Sequence, residues 1–197
     1  MHFVPRTFRY VSLILVELAQ IFRKLFFFVC SLYHCKNFKK QPVLAIGRGK
    51  ISIAKSAEIG VNTSPYYLSS YCYIEARHTS ASITIESNVK INNNFFAIAN
   101  TSSIYIGEHT LIGLNVGLVD SDFHRVNYSN RGDNDALSKS VYIGKNVFIG
   151  NDVKIYKGVT ISDGAVVAAG SVVFDDVAEN SIVSGNPAKF IKLVTNA

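Results

Sequence analysis

From Val141 onward an aliphatic residue returns at every sixth position: Ile143, Ile149, Ile155, Ile161, Val167 and Val173. Two places before each stands a second branched or small residue, Val141, Val147, Val153, Val159, Ala165 and Ser171. The same phase appears upstream in Ile53 and Ile59, in Ile85 and Ile91, and in Ile106, Ile112 and Leu118. A spacing of two within each unit is strand alternation, with both residues on one side of the backbone. The glycines Gly144, Gly150, Gly158, Gly164 and Gly170 gather between the units, where the chain must turn. Each unit then forms one short flat side, and three sides close a triangular coil whose inward aliphatics stack in a column. A helix of 3.6 residues per turn would let a six-residue stripe drift around its surface. The pattern predicts an all-β fold, a parallel β-helix.

Two stretches lose the beat. Residues 63–82, "TSPYYLSSYCYIEARHTSAS", are rich in Tyr and Ser and are expected to form an irregular coil or a modest loop. Residues 119–140, "VDSDFHRVNYSNRGDNDALSKS", are polar, carry the turn signals N-R-G-D and D-N-D, and are expected to protrude from the coil. Long loops on a rigid scaffold are where functional side chains concentrate.

Ahead of the repeat, Val11, Ile14, Leu18, Ile21, Leu25, Phe28 and Leu32 recur at spacings of three and four, one stripe of an α-helix. Glu17, Gln20, Arg23 and Lys24 interrupt the apolar run at mid-span, which disfavours a membrane-crossing segment. Two roles remain open for the stripe. It packs on the main domain or another subunit, or it lies on an anionic membrane face. The expected organisation is an N-terminal basic amphipathic helical segment over 1–42, a β-helix over 43–186 with its loop at 119–140, and a C-terminal tail over 187–197.

Composition narrows the function. The chain of 197 residues is 48% hydrophobic and 17% charged, so it is globular. Its net charge of +6 is local. Residues 1–40 hold seven basic side chains against Glu17 alone, which leaves 13 basic and 13 acidic residues in 41–197. A neutral body excludes a basic nucleic-acid-binding face there. Three cysteines, Cys30, Cys35 and Cys72, without zinc-site spacing suit a reduced, cytoplasmic protein. A secretory signal is not indicated, because Glu17 cuts the apolar run and no small-residue cleavage site follows.

With the stretch "IGKNVFIGNDVKIYKGVTISDGAVVAAGSVV" (143–173) followed by "SGNPAKFIK" (184–192), and the D-x-D-x-H of 120–124, the sequence resembles the hexapeptide-repeat acyltransferases. The closer likeness is to their galactoside, maltose and polysaccharide O-acetyltransferase branch, over roughly residues 83–194. The resemblance implies a left-handed coil, although parallel crossovers are right-handed as a rule. It implies a homotrimer, acetyl-CoA as acyl donor in the groove between neighbouring β-helices, no metal, and a loop histidine acting as base at the subunit boundary. His124 suits that role because a near-neutral imidazole can take a proton as a hydroxyl attacks. If 120–124 is extended, Asp120, Asp122 and His124 share a side, and Asp122 is the preferred group to orient the ring. Asp120, Arg125 and Asn93 are candidate acceptor contacts. Phe148, Gly150, Asn151, Ala168, Ala169 and Lys189 match cofactor-facing positions. Two departures stand out: Phe148 replaces a frequent Trp, and Asp175 replaces a phosphate-binding lysine.

The expected activity is acetyl transfer to a sugar hydroxyl of a bacterial surface polysaccharide or its lipid-linked precursor. Transfer is expected to be direct, with Cys72 a structural thiol. An N-acetyltransferase of an amino sugar, nucleotide sugar or antibiotic is the alternative within the enzyme class; a membrane-docked scaffold is the alternative outside it. A carbonic-anhydrase-like zinc site would need His78, His109 and His124 to converge. The expected location is the cytoplasm, with residues 1–40 a candidate peripheral contact at the inner membrane.

Overall fold

The computed structural model describes residues 6–33, 40–125, 127–130, 132 and 136–195. Cys35, Lys36, Lys39 and most of the turn signals at 130–135 lie outside them.

One helix, α1 (Arg6–Cys30), precedes a three-sided parallel coil. The first face stacks Val43–Gly47, Cys72–Ala76, Phe96–Ala99, Gly117–Val119, Lys154–Ile155 and Val172–Val173. The second stacks Lys50–Ile53, Ser82–Ile85, Ser103–Ile106, Val141–Ile143 and Thr160–Ile161. The third stacks Glu58–Ile59, Lys90–Ile91, Leu111–Ile112, Phe148–Ile149, Val166–Val167 and Ser181–Gly185. Equivalent six-residue positions pair in register, as in Ile91 with Ile112 and Ile112 with Ile149. The inward column is dry: Ile143, Ile149, Ile155, Ile161 and Val167 are completely buried.

Corners follow from residue type. The residue two places before the last four first-face strands takes a left-handed backbone, at Asn94, Asn115, Asp152 and Gly170, with φ of 60°, 57°, 60° and 73°. Asn, Asp and Gly tolerate that conformation best. His109, with φ 61°, fills the matching position between the second and third faces.

The stretch 63–82 is more regular than its composition suggests. Cys72–Ala76 is a full rung that pairs with Val43–Gly47 and Phe96–Ala99, with Cys72, Ile74 and Ala76 turned inward. The irregular part shrinks to a loop ending at Tyr71. Most of its Tyr and Ser fall in that loop, while within the rung Tyr73 takes an outward position that the repeat leaves unconstrained.

Both ends of the coil are covered. Ser31 and Leu32, just after α1, bond the open edge of the first strand: the Ala45 amide donates to Ser31 Oγ at 3.1 Å, and the Leu32 amide donates to the Ala45 carbonyl at 2.9 Å. At the other end the tail folds back, and Ala188–Leu193 pairs antiparallel with Ser181–Gly185. These segments occupy edges that would otherwise recruit a further strand.

Helix α1 meets the body with its polar side. Gln20 is completely buried and donates to the Tyr67 carbonyl at 2.6 Å. Arg23 donates to the carbonyls of Tyr67 and Ser70, and Phe27 stacks on Tyr71 with ring centroids 4.4 Å apart. The stripe Val11, Ile14, Leu18, Ile21, Leu25 is exposed, so it does not pack on the main domain. Specific carbonyls offered by the 61–71 loop win the docking face for the hydrogen-bonding side chains.

Truncating Ile149 to Ala should leave a cavity in a column that cannot collapse, costing about 2–5 kcal/mol of stability in urea unfolding. A loss under about 1 kcal/mol would contradict a packed column.

Candidate active site

The connection between Val119 and Val141 leaves the edge where the first face turns into the second. Its neck is closed by a bridge between Ser121 and Ser138 and by the Lys139 amide donating to the Asp120 carbonyl at 2.8 Å. His124 lies beyond the neck and is exposed. Before it, Phe123 holds φ at 61°, a conformation costly for a bulky side chain. Two contacts stabilise it. The Phe123 amide donates to Ser121 Oγ at 3.0 Å, and the Arg77 guanidinium sits 4.9 Å from the Phe123 ring centroid. Arg77 is itself held by Glu75 through two bonds of 2.9 and 3.0 Å, and Tyr73 donates to Glu75 Oε2 at 2.9 Å. The Arg77 bonds hold the Glu75 carboxyl below its ordinary value of 4.5. Burial, helped by the bond to Glu75, pushes the Tyr73 hydroxyl up to about 12.

The outer surface of the first face is aromatic. Tyr73, Phe96, Gly117 and Lys154 occupy one register line. At Gly117 the Phe96 ring lies where a Cβ would sit, so any larger residue there would push the ring aside. Over that gap Lys154 Nζ reaches to 5.0 Å from the Phe96 ring centroid and donates to the Asn115 carbonyl at 2.7 Å. Burial lowers the Lys154 pKa. Two recesses meet at Phe96. One, of about 440 Å³, includes Tyr71, Tyr73, Asn94 and Ile98; the other, of about 340 Å³, includes Asp122, Phe123, Lys154 and Tyr156. This lining was not read from the sequence. Its signal was present as aromatics at outward positions of successive rungs, but it needed the register through 63–82.

The remaining site candidates fall at several places. Asp122 pairs with Lys157, on the loop edge of the first face. Arg125 is half-buried in the loop. Asp120 is completely buried, and its carboxylate accepts the amides of Asn100 at 2.7 Å and Ser102 at 2.8 Å. Burial raises its pKa while these bonds oppose the rise. Asn93 is completely buried too. It donates to the carbonyls of Val61, Ser64 and Pro65, and its Oδ1 accepts the Val61 amide at 3.0 Å. Both side chains hold turns together and neither reaches open surface, which corrects their assignment as acceptor contacts. The D-x-D-x-H pattern also departs from one shared side, since Asp120 points inward while Asp122 and His124 are exposed.

Gly150, Asn151, Ala168 and Ala169 share the opposite edge, between the third and first faces. A Cβ on Gly150 would lie 2.5 Å from the Ala169 amide nitrogen, so the two turns stack tightly. Asn151 Oδ1 accepts the Leu114 amide at 2.8 Å. Phe148 is exposed on the third face beside this edge. Lys189 forms an ion pair of 3.1 Å with Asp175, so the two positions flagged for phosphate contact engage each other. Cys72 is buried, with Sγ donating to Gln41 Oε1 at 3.2 Å, as a structural thiol would be. His109 sits on a different edge from His78 and His124, and among the described residues no group of three His, Cys, Asp or Glu could hold a metal ion.

Residues 140–175 match the family described as Bacterial transferase hexapeptide (six repeats). A sequence search among curated proteins finds no match. Solved structures share the fold. The polysialic acid O-acetyltransferase OatWY is similar with a TM-score of 0.60 and 23% identity, covering 73% of this chain and 64% of that one. A hexapeptide-repeat acetyltransferase from Vibrio cholerae complexed with acetyl coenzyme A gives 0.53 and 22%, covering 99% and 94%. AntD, an N-acyltransferase from Bacillus cereus in complex with dTDP-4-amino-4,6-dideoxyglucose and coenzyme A, gives 0.54 and 20%, covering 77% and 86%. The chain thus spans less than two thirds of the OatWY length. Its coil is the left-handed β-helix of hexapeptide repeats, and the resemblance read from 143–173 holds.

Two outcomes follow. Asp120→Ala should strand two amides and cost about 1–3 kcal/mol in urea unfolding; an unchanged midpoint would restore Asp120 to the acceptor side. Glu75 has a depressed folded pKa, so its stabilisation is present above the ordinary value of 4.5 and is lost as pH falls through the folded value. The drop in urea midpoint on acidification to about pH 3.5 should therefore be smaller in Glu75→Gln than in the parent, and an equal drop would rule out the Arg77 pairing as its cause.

Proposed function

We propose that the chain is an acetyl-CoA-dependent O-acetyltransferase that passes the acetyl group directly to a hydroxyl of a bacterial surface polysaccharide or its lipid-linked precursor. The observation that carries this reading is His124, exposed beyond a pinned neck at one margin of an aromatic-lined face. The fold shared with solved acetyltransferases, one of them complexed with acetyl coenzyme A, supports the donor. Aromatic rings lining the two recesses suit the C–H faces of sugar rings, and Lys154 adds a cation beside them.

The reaction needs few groups. The imidazole of His124 takes the proton as the sugar oxygen attacks the thioester carbonyl, and returns it to the departing thiolate as the carbon–sulfur bond breaks. The products are an acetyl ester and a free thiol. Phe123, fixed by Arg77 and Ser121, positions the backbone before the ring. Asp122 is carried with it, as the group oriented toward Lys157. The pantetheine arm runs along Gly150, Asn151, Ala168 and Ala169, with Phe148 beside it and Lys189 toward the phosphates.

These two sets of residues lie on opposite margins of the first face, about 10–15 Å apart along an extended strand. One chain does not bring them together, which supports a homotrimer in which the His124 loop of one copy meets the cofactor edge of the next.

Thiol release from acetyl-CoA against a panel of capsule and O-antigen saccharides tests the proposal. His124→Ala should lower turnover by about 10²–10⁴-fold with an unchanged melting temperature. Turnover retained in that variant would remove the imidazole from the mechanism. An acetylated product that resists mild base, as an amide does and an ester does not, would move the acceptor from oxygen to nitrogen.

A further inference from the structure

Helix α1 is built inside out for a surface helix. Successive residues advance by about 100° around the axis. Val16, Gln20, Arg23, Lys24 and Phe27 fall on one side and are buried or half-buried, and Gln20, Arg23 and Phe27 contact the body at Tyr67, Ser70 and Tyr71. Opposite them, Val11, Ile14, Leu15, Leu18, Phe22, Leu25, Phe26 and Val29 form an arc of about 120°. All are exposed, Phe22 by 70% and Val29 by 74%. A monomeric protein seldom exposes so large a contiguous apolar surface unless something covers it.

We infer that this arc is an interfacial membrane anchor whose partner is an anionic phospholipid surface. The apolar arc lies at the headgroup boundary while the polar face stays bonded to the coil. Charge selects lipid over a second copy. Residues 1–40 carry seven basic side chains and Glu17 alone. Arg23 is used in docking and Lys40 pairs with Glu58 at 2.9 Å. The sequence still supplies Arg6 and Arg9 at the start of the helix and Lys36 and Lys39 beyond its end. Pairing this helix with its copy would set two basic segments against each other, whereas an anionic bilayer neutralises them. No helix of the described residues is long and apolar enough to cross a membrane, and an in-plane helix needs no crossing.

The anchor also locates the acceptor, and this part rests on the acetyltransferase reading. Phe27 stacks on Tyr71 and Arg23 bonds the Ser70 carbonyl, and both Ser70 and Tyr71 line the 440 Å³ recess. A helix held at the lipid surface sets that recess beside saccharides tethered to lipid.

Vesicle flotation of the full chain tests the anchor without reference to turnover. The chain should float with phosphatidylcholine vesicles containing phosphatidylglycerol, and at least about tenfold less with phosphatidylcholine alone or in high salt. The pair Phe22→Glu and Phe26→Glu, on exposed positions, should lower partitioning about tenfold with an unchanged melting temperature and oligomeric mass. Arg6→Glu with Arg9→Glu, which keeps the arc intact, should weaken binding to the anionic vesicles specifically. Failure to float with anionic vesicles, or equal flotation of the Phe variant, would overturn the anchor. A Phe variant with reduced oligomeric mass would assign the arc to a second copy. Acetyl transfer to free saccharides would survive any of these failures.

Discussion

Everything in the body depends on one steric demand: a branched aliphatic must stand above another at every third side of the coil. Each buried Ile or Val contributes about 1.5–3 kcal/mol relative to exposure, and the column from Ile59 to Val173 repeats that gain rung after rung. Stacking forces the rungs into register, and register forces the corners into equivalent backbone conformations. Asn94, Asn115, Asp152 and Gly170 are therefore answers to one geometric question.

Outward positions are freed by the same demand. Nothing in the core dictates what faces solvent at Tyr73, Phe96, Lys154 or Tyr156, so those residues can be chosen for a ligand. The coil supplies a flat wall, and the excursion between Val119 and Val141 carries His124 beside it. Phe123 connects the two, since its strained backbone is secured by an arginine on the wall.

The inward column, the three-sided coil and the loop were legible because each is written as period or as loss of period. Asn93 and Asp120 were misassigned for a physical reason. Polar residues at coil corners serve either a ligand or the next turn, and only the hydrogen bonds of Val61, Asn100 and Ser102 decide between them. The aromatic wall stayed hidden because outward residues obey no repeat. Helix α1 was legible as amphipathic, but which side met the body depended on the carbonyls of Tyr67 and Ser70, and these belong to a loop with no sequence signature.

The proposal that a stacked corner and a pinned imidazole from separate copies form one acyl-transfer site is tested most directly by a crystal structure of the assembled protein with coenzyme A. The pantetheine arm should lie along Gly150, Asn151, Ala168 and Ala169 of one copy, with the thiol within about 3–4 Å of the His124 ring of a neighbour. Coenzyme A bound away from that edge, or His124 turned from every thiol in the assembly, would contradict it.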